Sequence, residues 1–342
     1  MTRKATITGK PRQNGAYFVQ CFLRKGYKGH GITRRASLFN TECGDSTTVV
    51  GMIQLAQESE IYNVPAIGHV ALRRWAAIVA NNAYPVEFSR DNLATQDQYH
   101  PRCDRSSLQS LVFLGSSRIC PKLALQPIEN ECLLAGPLQP TNRPYALDKI
   151  ASIEMCWSCS RRYGTKYLAM MPTNLYSPGD YFRPESSHVI PTLICKFNES
   201  NVAEARTVTV WGTGRRRREF LYSEDTADTC VFLMNLPDER YNSLQGRDKS
   251  KTGPFDPALV NIGVGDDATI RELAETVKLV VGYKEGIVFD TTLPDGTPRK
   301  SLDVAKLNGI SWKSHADPSE GLREVYIDYH GTTPAFGSRY LT

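Results

Sequence analysis

The chain has 342 residues, 41% of them apolar and 23% charged, with a formal net charge of +5. That composition reads as a soluble globular protein of one large bilobal domain or two ordinary ones, and it excludes a disordered or fibrous chain. No apolar run approaches the roughly 20 residues that span a bilayer, no secretory leader follows Met1, and the charge is too mild for a nucleic-acid surface, so the expectation is a cytoplasmic protein that binds neither membrane nor nucleic acid.

Residues 5–8 are strand-like, 9–15 form a loop bounded by Gly9 and Gly15, and 16–25 carry helical apolar spacing at Tyr17, Phe18, Cys21 and Phe22. A second short strand at 30–33 runs directly into Arg34 and Arg35. Such an opening suggests a dinucleotide-binding sheet, and two arginines where an acid would select NAD suggest the 2′-phosphate of NADP. Without the glycine loop upstream, the same pair would read as a solvated turn. Apolar runs at 60–64, 110–114 and 167–171 alternate with helical patterns, as parallel strands with crossover helices do. They end in Asn63, Ser116-Ser117 and Thr173-Asn174, at the carboxyl ends where open α/β sheets bind ligands.

Between the second and third of these runs, Tyr145 stands four residues before Lys149. On a helix these positions share one face. A lysine ammonium there is expected to lower the pKa of the phenol, which then gives its proton to a carbonyl oxygen held by a serine hydroxyl, Ser116. The Tyr–Lys spacing alone arises by chance at this composition; its neighbours decide. Cys156 and Cys159 have metal-ligand spacing, but no second Cys/His pair accompanies them, so no metal is expected, and nine cysteines without regular spacing do not form a disulfide framework.

After Gly179 the texture changes to longer loops rich in Pro, Gly and Arg. Arg215 to Arg218 read either as a solvated turn or as the site of a small anion such as a diphosphate. Residues 237–257 look like a polar surface excursion, 269–282 like an amphipathic helix, 294–298 like a loop and 319–328 like a terminal helix. Trp211, taken by itself, reads as a core aromatic, and Gly263-x-Gly265 as a turn.

Several stretches carry a resemblance: Ala80-Asn-Asn-Ala-Tyr-Pro85, Phe113-Leu-Gly-Ser-Ser117, Pro140-Thr-Asn-Arg-Pro-Tyr145, Met171-Pro-Thr-Asn-Leu-Tyr176, Ser187-His-Val-Ile-Pro191, Val210-Trp-Gly-Thr-Gly214, Arg218-Glu-Phe-Leu221 and Pro294-Asp-Gly-Thr-Pro-Arg-Lys300. From about residue 81 to 329 the chain resembles the GDP-L-fucose synthases of the extended short-chain dehydrogenase/reductase family. Its first 70 or so residues, with Gly26-Tyr-Lys-Gly-His-Gly-Ile-Thr-Arg-Arg-Ala-Ser37, are instead similar to GDP-mannose 4,6-dehydratases. The resemblance implies an α/β fold, a Rossmann-type doubly wound parallel sheet with a smaller α/β substrate-binding lobe. The NADP-binding part is then expected at 1–177 plus 216–263 and the nucleotide-sugar lobe at 178–215 plus 264–342. It implies NADPH-dependent 3,5-epimerisation and 4-reduction of GDP-4-keto-6-deoxy-D-mannose, in a homodimer. Ser116, Tyr145, Lys149 and His188 would be catalytic. Gly9, Arg12, Gly15, Arg34, Arg35, Leu114, Gly115, Ser116, Ser117, Lys149, Pro172, Thr173, Asn174, Leu175 and His188 would bind NADP(H). Lys196, Trp211, Arg218, Asp295 and Lys300 would contact the GDP-sugar.

The chain departs from the family pattern in three places. Arg118 stands where the family carries the cysteine of its epimerisation step, and an arginine cannot shuttle protons near neutrality; Cys120 lies two residues further, where on a strand it would share that face about 6–7 Å away. Arg12 replaces the middle glycine of the phosphate loop, where backbone approaches pyrophosphate. About twenty residues, including most of a third strand, are missing between Thr41 and Gly44. Reduction without epimerisation and a degenerate nucleotide-sugar-binding homologue are the alternatives. A dehydratase is not favoured, because water elimination needs an acid just after the serine, where Arg118 and Ile119 stand.

Overall fold

Two buried strands set the architecture: β4 (Ser110–Leu114), buried throughout, and β5 (Lys166–Pro172), buried from Tyr167 on, parallel, with Leu111 opposite Tyr167 and Leu114 opposite Met170. A strand covered on both faces is apolar at consecutive positions, and Leu111, Val112, Phe113 and Leu114 are. The computed structural model describes residues 4–8, 13–32, 60–63, 86, 89, 93, 110–180, 182, 187–245, 258–292 and 297–331, with the backbone path alone for 4–8, 13–16, 28–32 and 60–63.

In chain order the elements are β1 (Lys4–Thr8), α1 (Gln13–Arg24), β2 (Lys28–Ile32), β3 (Glu60–Asn63), β4, α2 (Arg143–Tyr163), β5, β6 (Asn174–Tyr176), α3 (Val189–Val202), β7 (Thr207–Trp211), β8 (Arg217–Arg218), β9 (Phe220–Tyr222), α4 (Ser223–Met234), α5 (Asp238–Leu244), β10 (Leu259–Ile262), β11 (Ala268–Thr269), α6 (Ile270–Val281), β12 (Gly286–Asp290), β13 (Arg299–Lys300), α7 (Ala305–Gly309) and α8 (Pro318–Tyr329). Among the described residues, six parallel strands form one sheet in the order β10-β5-β4-β3-β1-β2. The chain runs from β1 outward to β2, then returns to place β3 on the other side of β1. That reversal is the switch point beside which doubly wound sheets take their ligands.

The period of two along β4 and β5 sorts their side chains onto two cores. Leu111, Phe113, Tyr167, Ala169 and Met171 pack with Ile150, Ile153 and Cys156 of α2. Val112, Leu114, Leu168 and Met170 face the other way, towards Phe18 and Phe22 of α1 and Ala227, Cys230 and Val231 of α4. Three small sheets lie beside the main one: β11-β8-β13, β12-β7 and β6-β9.

The structure corrects several expectations. The helix expected at 16–25 begins at Gln13, so Gly15 lies inside its first turn and not in a loop; glycine is tolerated there because the first amides have no partner within the helix. The expected surface excursion at 237–257 opens with α5, whose Tyr241 and Leu244 are buried and whose acidic first turn suits the helix dipole. Gln245 just after it is also buried and donates to Ser160 Oγ and to the carbonyls of Thr165 and Tyr167. Trp211 is not a core residue, being 51% exposed. The amphipathic helix appears as α6, closed by a Thr269–Glu272 capping box and a left-handed Gly282. Gly265, with φ +80°, makes the turn before it. Among the described residues no helix is long and apolar enough to cross a membrane, and no cluster of His, Cys, Asp or Glu could hold a metal; Cys156 and Cys159 are buried on α2.

Candidate active site

Helix α2 positions the expected proton donor. Pro144 in its first turn has its φ set for a helix start and lacks an amide that would go unused, and Gly164 at φ 70° ends it. Tyr145 and Lys149, one turn apart near its N-terminus, meet the loop after β4. The Ser116 hydroxyl hydrogen-bonds the Tyr145 side chain and accepts from the Arg118 amide at 3.3 Å. Lys149 is 2% exposed; its Nζ donates to the Leu114 carbonyl at 2.9 Å and lies 4.7 Å from the centre of the Phe113 ring.

The expected tuning of the phenol is not what the structure shows. Burial raises the pKa of Tyr145, against smaller lowering by Ser116 and Arg118. Lys149 Nζ stands 5.8 Å from the tyrosine ring centre and aims at Leu114. Burial pushes Lys149 down to about 7, opposed by Asp148. The physical reason is that both groups lie where a charge is poorly solvated, so each is biased to its neutral form. Tyr145 is thus a phenol that keeps its proton, hydrogen-bonded to a serine.

Both residues face a cleft of about 450 Å³ at the carboxyl ends of β4 and β5. Of the expected site residues, Leu114, Gly115, Ser116, Ser117, Tyr145, Pro172, Thr173, Asn174, Leu175, His188, Arg218 and Lys300 all line it. Lys149 lies just behind. His188 reaches the cleft as the exposed N-cap residue of α3. Lys196 and Trp211 do not belong to this lining; they pair with each other, Nζ 4.7 Å from the indole centre, and Lys196 donates to the Thr209 carbonyl. Gly9, Arg12, Arg34, Arg35 and Asp295 lie outside the described residues, as does the shortened stretch after Thr41.

The cleft is cationic. Among its described lining residues the cleft has Arg118, Lys122, Arg216, Arg218, Arg299 and Lys300, and no Asp or Glu. The run of four arginines is therefore split and is not a solvated turn. Arg215 is exposed, Arg216 and Arg218 line the cleft, and Arg217 pairs with Asp267, whose side chain is 1% exposed. Arg299 Nε also donates to Asp267, at 2.5 Å. Burial raises the pKa of Asp267, but the hydrogen bonds from these two arginines bring it below the usual range.

Sequence reasoning missed Glu219, between Arg218 and Phe220 of the cleft wall. It is fully buried. Its carboxylate accepts from the Gly265 and Leu302 amides, each at 2.8 Å, and its carbonyl accepts from Thr173 Oγ1 at 2.8 Å and Asn174 Nδ2 at 2.9 Å. One residue thus ties the end of β5 to both segments that carry the cationic wall. Its only sequence signal is an acid inside an otherwise basic and apolar stretch. Cys120, expected on a strand, instead follows the short turn Ser117–Ile119 and lines the cleft; Gly115 bonding back to the Met170 carbonyl turns the chain out of β4 before that point.

A larger cavity of about 600 Å³ between α1, α4 and the start of α8 holds none of the expected residues. Its carboxylates are engaged, Asp228 by Lys25 and Trp312 and Asp225 by the His315 and Ala316 amides.

Comparison with known proteins agrees with this geometry. The sequence profile of the NAD dependent epimerase/dehydratase family matches residues 5–244. The GDP-L-fucose synthase of Escherichia coli (strain K12) is 43% identical over 258 residues, covering 75% of this chain and 78% of its own length. GDP-L-fucose synthase 1 of Arabidopsis thaliana is 42% identical over 326 residues, 95% of this chain and 93% of its own. A GDP-D-glycero-L-gluco-heptose synthase of Campylobacter jejuni, solved in the presence of NADPH, is 25% identical with a TM-score of 0.78, covering 96% of this chain and 98% of its own. A Rossmann-type parallel sheet, a serine–tyrosine pair at its carboxyl edge and these relatives together place the chain in the NAD dependent epimerase/dehydratase family.

Proposed function

We propose that the chain is an NADPH-dependent oxidoreductase that epimerises GDP-4-keto-6-deoxy-D-mannose at C3 and C5 and reduces its 4-ketone, giving GDP-L-fucose. The observation that carries this reading is the Ser116–Tyr145 hydrogen bond at the foot of a cleft lined by six cationic side chains, four of them, Arg216, Arg218, Arg299 and Lys300, outside the stretch that carries the tyrosine. An acid beside a carbonyl site and a basic wall are what a keto-sugar diphosphate needs.

The donors present fit NADP(H). The ends of β4 and β5 offer Leu114, Gly115, Ser116 and Ser117 on one strand and Pro172, Thr173, Asn174 and Leu175 on the next, with His188 opposite. Gly9, Arg12 and Gly15 are assigned to the diphosphate and Arg34 and Arg35 to the 2′-phosphate. When bound, the cofactor supplies the hydride. Ser116 holds the ketone oxygen, and Tyr145, which burial keeps protonated, delivers the proton to it. Lys149, fixed on the Leu114 carbonyl behind the cleft, would donate to the ribose. The protons at C3 and C5 are acidic because the 4-ketone delocalises the carbanion, so an acid and a base suffice, His188 being one of them. Arg218, Asp295 and Lys300 hold the GDP-sugar. A role for Lys196 and Trp211 requires the ligand to extend beyond the cleft along α3 and β7.

The NADP-binding part is assigned to 1–177 plus 216–263 and the sugar lobe to 178–215 plus 264–342; β8, just inside the first, pairs with β11 and β13 of the second and would join the two. A cytoplasmic homodimer is proposed as the working form. Arg118 favours a second reading, reduction without epimerisation, because it lines the cleft where a proton shuttle is wanted. Product analysis with GDP-4-keto-6-deoxymannose and NADPH tests both. GDP-fucose is expected; a rhamnose-configured product establishes the second reading, and no consumption of NADPH overturns both.

A further inference from the structure

Two cleft cations assigned to the nucleotide sugar, Arg218 and Lys300, stand on strands of only two residues each. In the small sheet β11-β8-β13 the register sets Arg217 opposite Arg299 and Arg218 opposite Lys300. Neighbouring strands run about 4.8 Å apart, so like charges meet twice, and like charges directly opposite each other destabilise a pairing. So short a ladder has few backbone bonds to resist this; Arg217 donating to the Pro298 carbonyl at 2.8 Å is one of them.

The stronger restraint is Asp267, one residue before β11. Its Oδ1 accepts from Arg217 Nε, its Oδ2 from Arg299 Nε at 2.5 Å, and its carbonyl from Arg217 Nη2 at 2.6 Å. One carboxylate thus bridges two strands. The loop that carries it is fixed on both sides. Before it, the Gly265 amide is held by Glu219; after it, the Ile270 and Arg271 amides donate to the Arg216 and Gly214 carbonyls at 2.9 and 3.0 Å. Alternation along β8 and β13 sends the next residues, Arg218 and Lys300, to the opposite face, and both line the cleft. Arg299 borders the cleft as well, whereas Arg217 is not part of its lining.

We propose that Asp267 is a positioning residue for anion binding: by clamping Arg217 to Arg299 behind the sheet, it holds Arg218 and Lys300 side by side so that both grip one diphosphate. The carboxylate is buried and acts only through the pair in front of it. The inference rests on the GDP-sugar reading for the identity of the ligand.

Charge and position pull in opposite directions here, which makes the clamp testable. Asp267 is an acid behind an anion site, so by Coulomb attraction alone its neutralisation tightens the hold on an anion. By position its neutralisation loosens that hold, because the two strands are no longer drawn together and one of the two cations loses its contact.

The experiment is calorimetric titration of the full chain with GDP and with inorganic pyrophosphate. In Asp267→Asn the Kd should rise about tenfold, as when one charge-assisted contact is lost. An unchanged or lower Kd overturns the clamp. In a Lys300→Gln background, where one of the paired contacts is already gone, Asp267→Asn should add little; a full further loss there means that Asp267 does not act through the pair. Where Asp267→Asn does not fold, Arg217→Gln breaks the same clamp from a half-exposed side chain outside the cleft lining. An unchanged Kd in that variant, or an equal loss with and without Lys300, overturns the proposal. Wild type that binds pyrophosphate but not GDP overturns the GDP-sugar reading, while pyrophosphate still decides the clamp; wild type that binds neither overturns both.

Discussion

The two walls of the cleft are built differently. The wall with the proton donor comes from one stretch of chain, 110–149: a buried strand, a turn out of it, and one helix that presents Tyr145 and Lys149 a single turn apart. The cationic wall is assembled from segments around 216–219, 263–267 and 299–302, held together by two buried carboxylates, Glu219 and Asp267. Local periodicity places the chemistry. Long-range hubs place the charge that receives the ligand. Damage to the first wall should therefore appear in turnover, and damage to the second in affinity and stability.

The largest effect expected is on the first wall. Tyr145→Phe should lower NADPH oxidation with the keto-sugar by about 10²–10⁴-fold, the range for loss of a general acid, and leave NADPH affinity nearly unchanged. Stopped-flow turnover and fluorescence titration read the two quantities; unchanged turnover would remove the phenol from the reaction. On the second wall, Glu219→Gln places an NH2 group against amides that need an acceptor, costing about 1–3 kcal/mol in urea unfolding. KM for the nucleotide sugar should rise more than kcat falls. A fall in kcat alone would mean that the walls are not separable.

A third test uses pH. Burial holds Lys149 down to about 7, whereas a lysine of the unfolded chain titrates near about 10.4. Between those values the unfolded chain binds more protons, so this group makes stability rise with pH, by at most about 1.4 kcal/mol per unit. The penalty is fully present below pH 7 and is relieved as pH rises towards 10. The Tm difference between wild type and Lys149→Met should therefore shift in favour of wild type from pH 7 to 9; a constant difference would mean that the buried amine does not titrate there. The smallest effect belongs to neither wall: Thr269→Ala removes the α6 cap and should cost about 1 kcal/mol, seen as a lower Tm with unchanged kcat.

Much of the first wall was legible in the sequence. The run 110–114 coincides with β4, and Tyr145 and Lys149 fall on one helix face, because both patterns are set by neighbours within a few residues. Thr269 and Gly282 mark the ends of α6 for the same reason. The charge state of Tyr145 was not legible, since it depends on how deeply the helix is buried. Nor were Glu219 and Asp267. A carboxylate in a sequence looks solvated, and only the fold brings it the amides of residues 46 and 83 positions away or the two arginines that neutralise it. The α5 helix was hidden by its polar neighbours, although Tyr241 and Leu244 have helical spacing and both are buried.

At Gly263 a β-carbon would sit 2.1 Å from Glu219 Oε1. No homologue that keeps this acid in this pose has room for even a methyl group at the other position, and losing the acid alone strands the amides it satisfies. The two sites should therefore change together across descendants of this chain or not at all, a paired drift that an alignment of close relatives would expose.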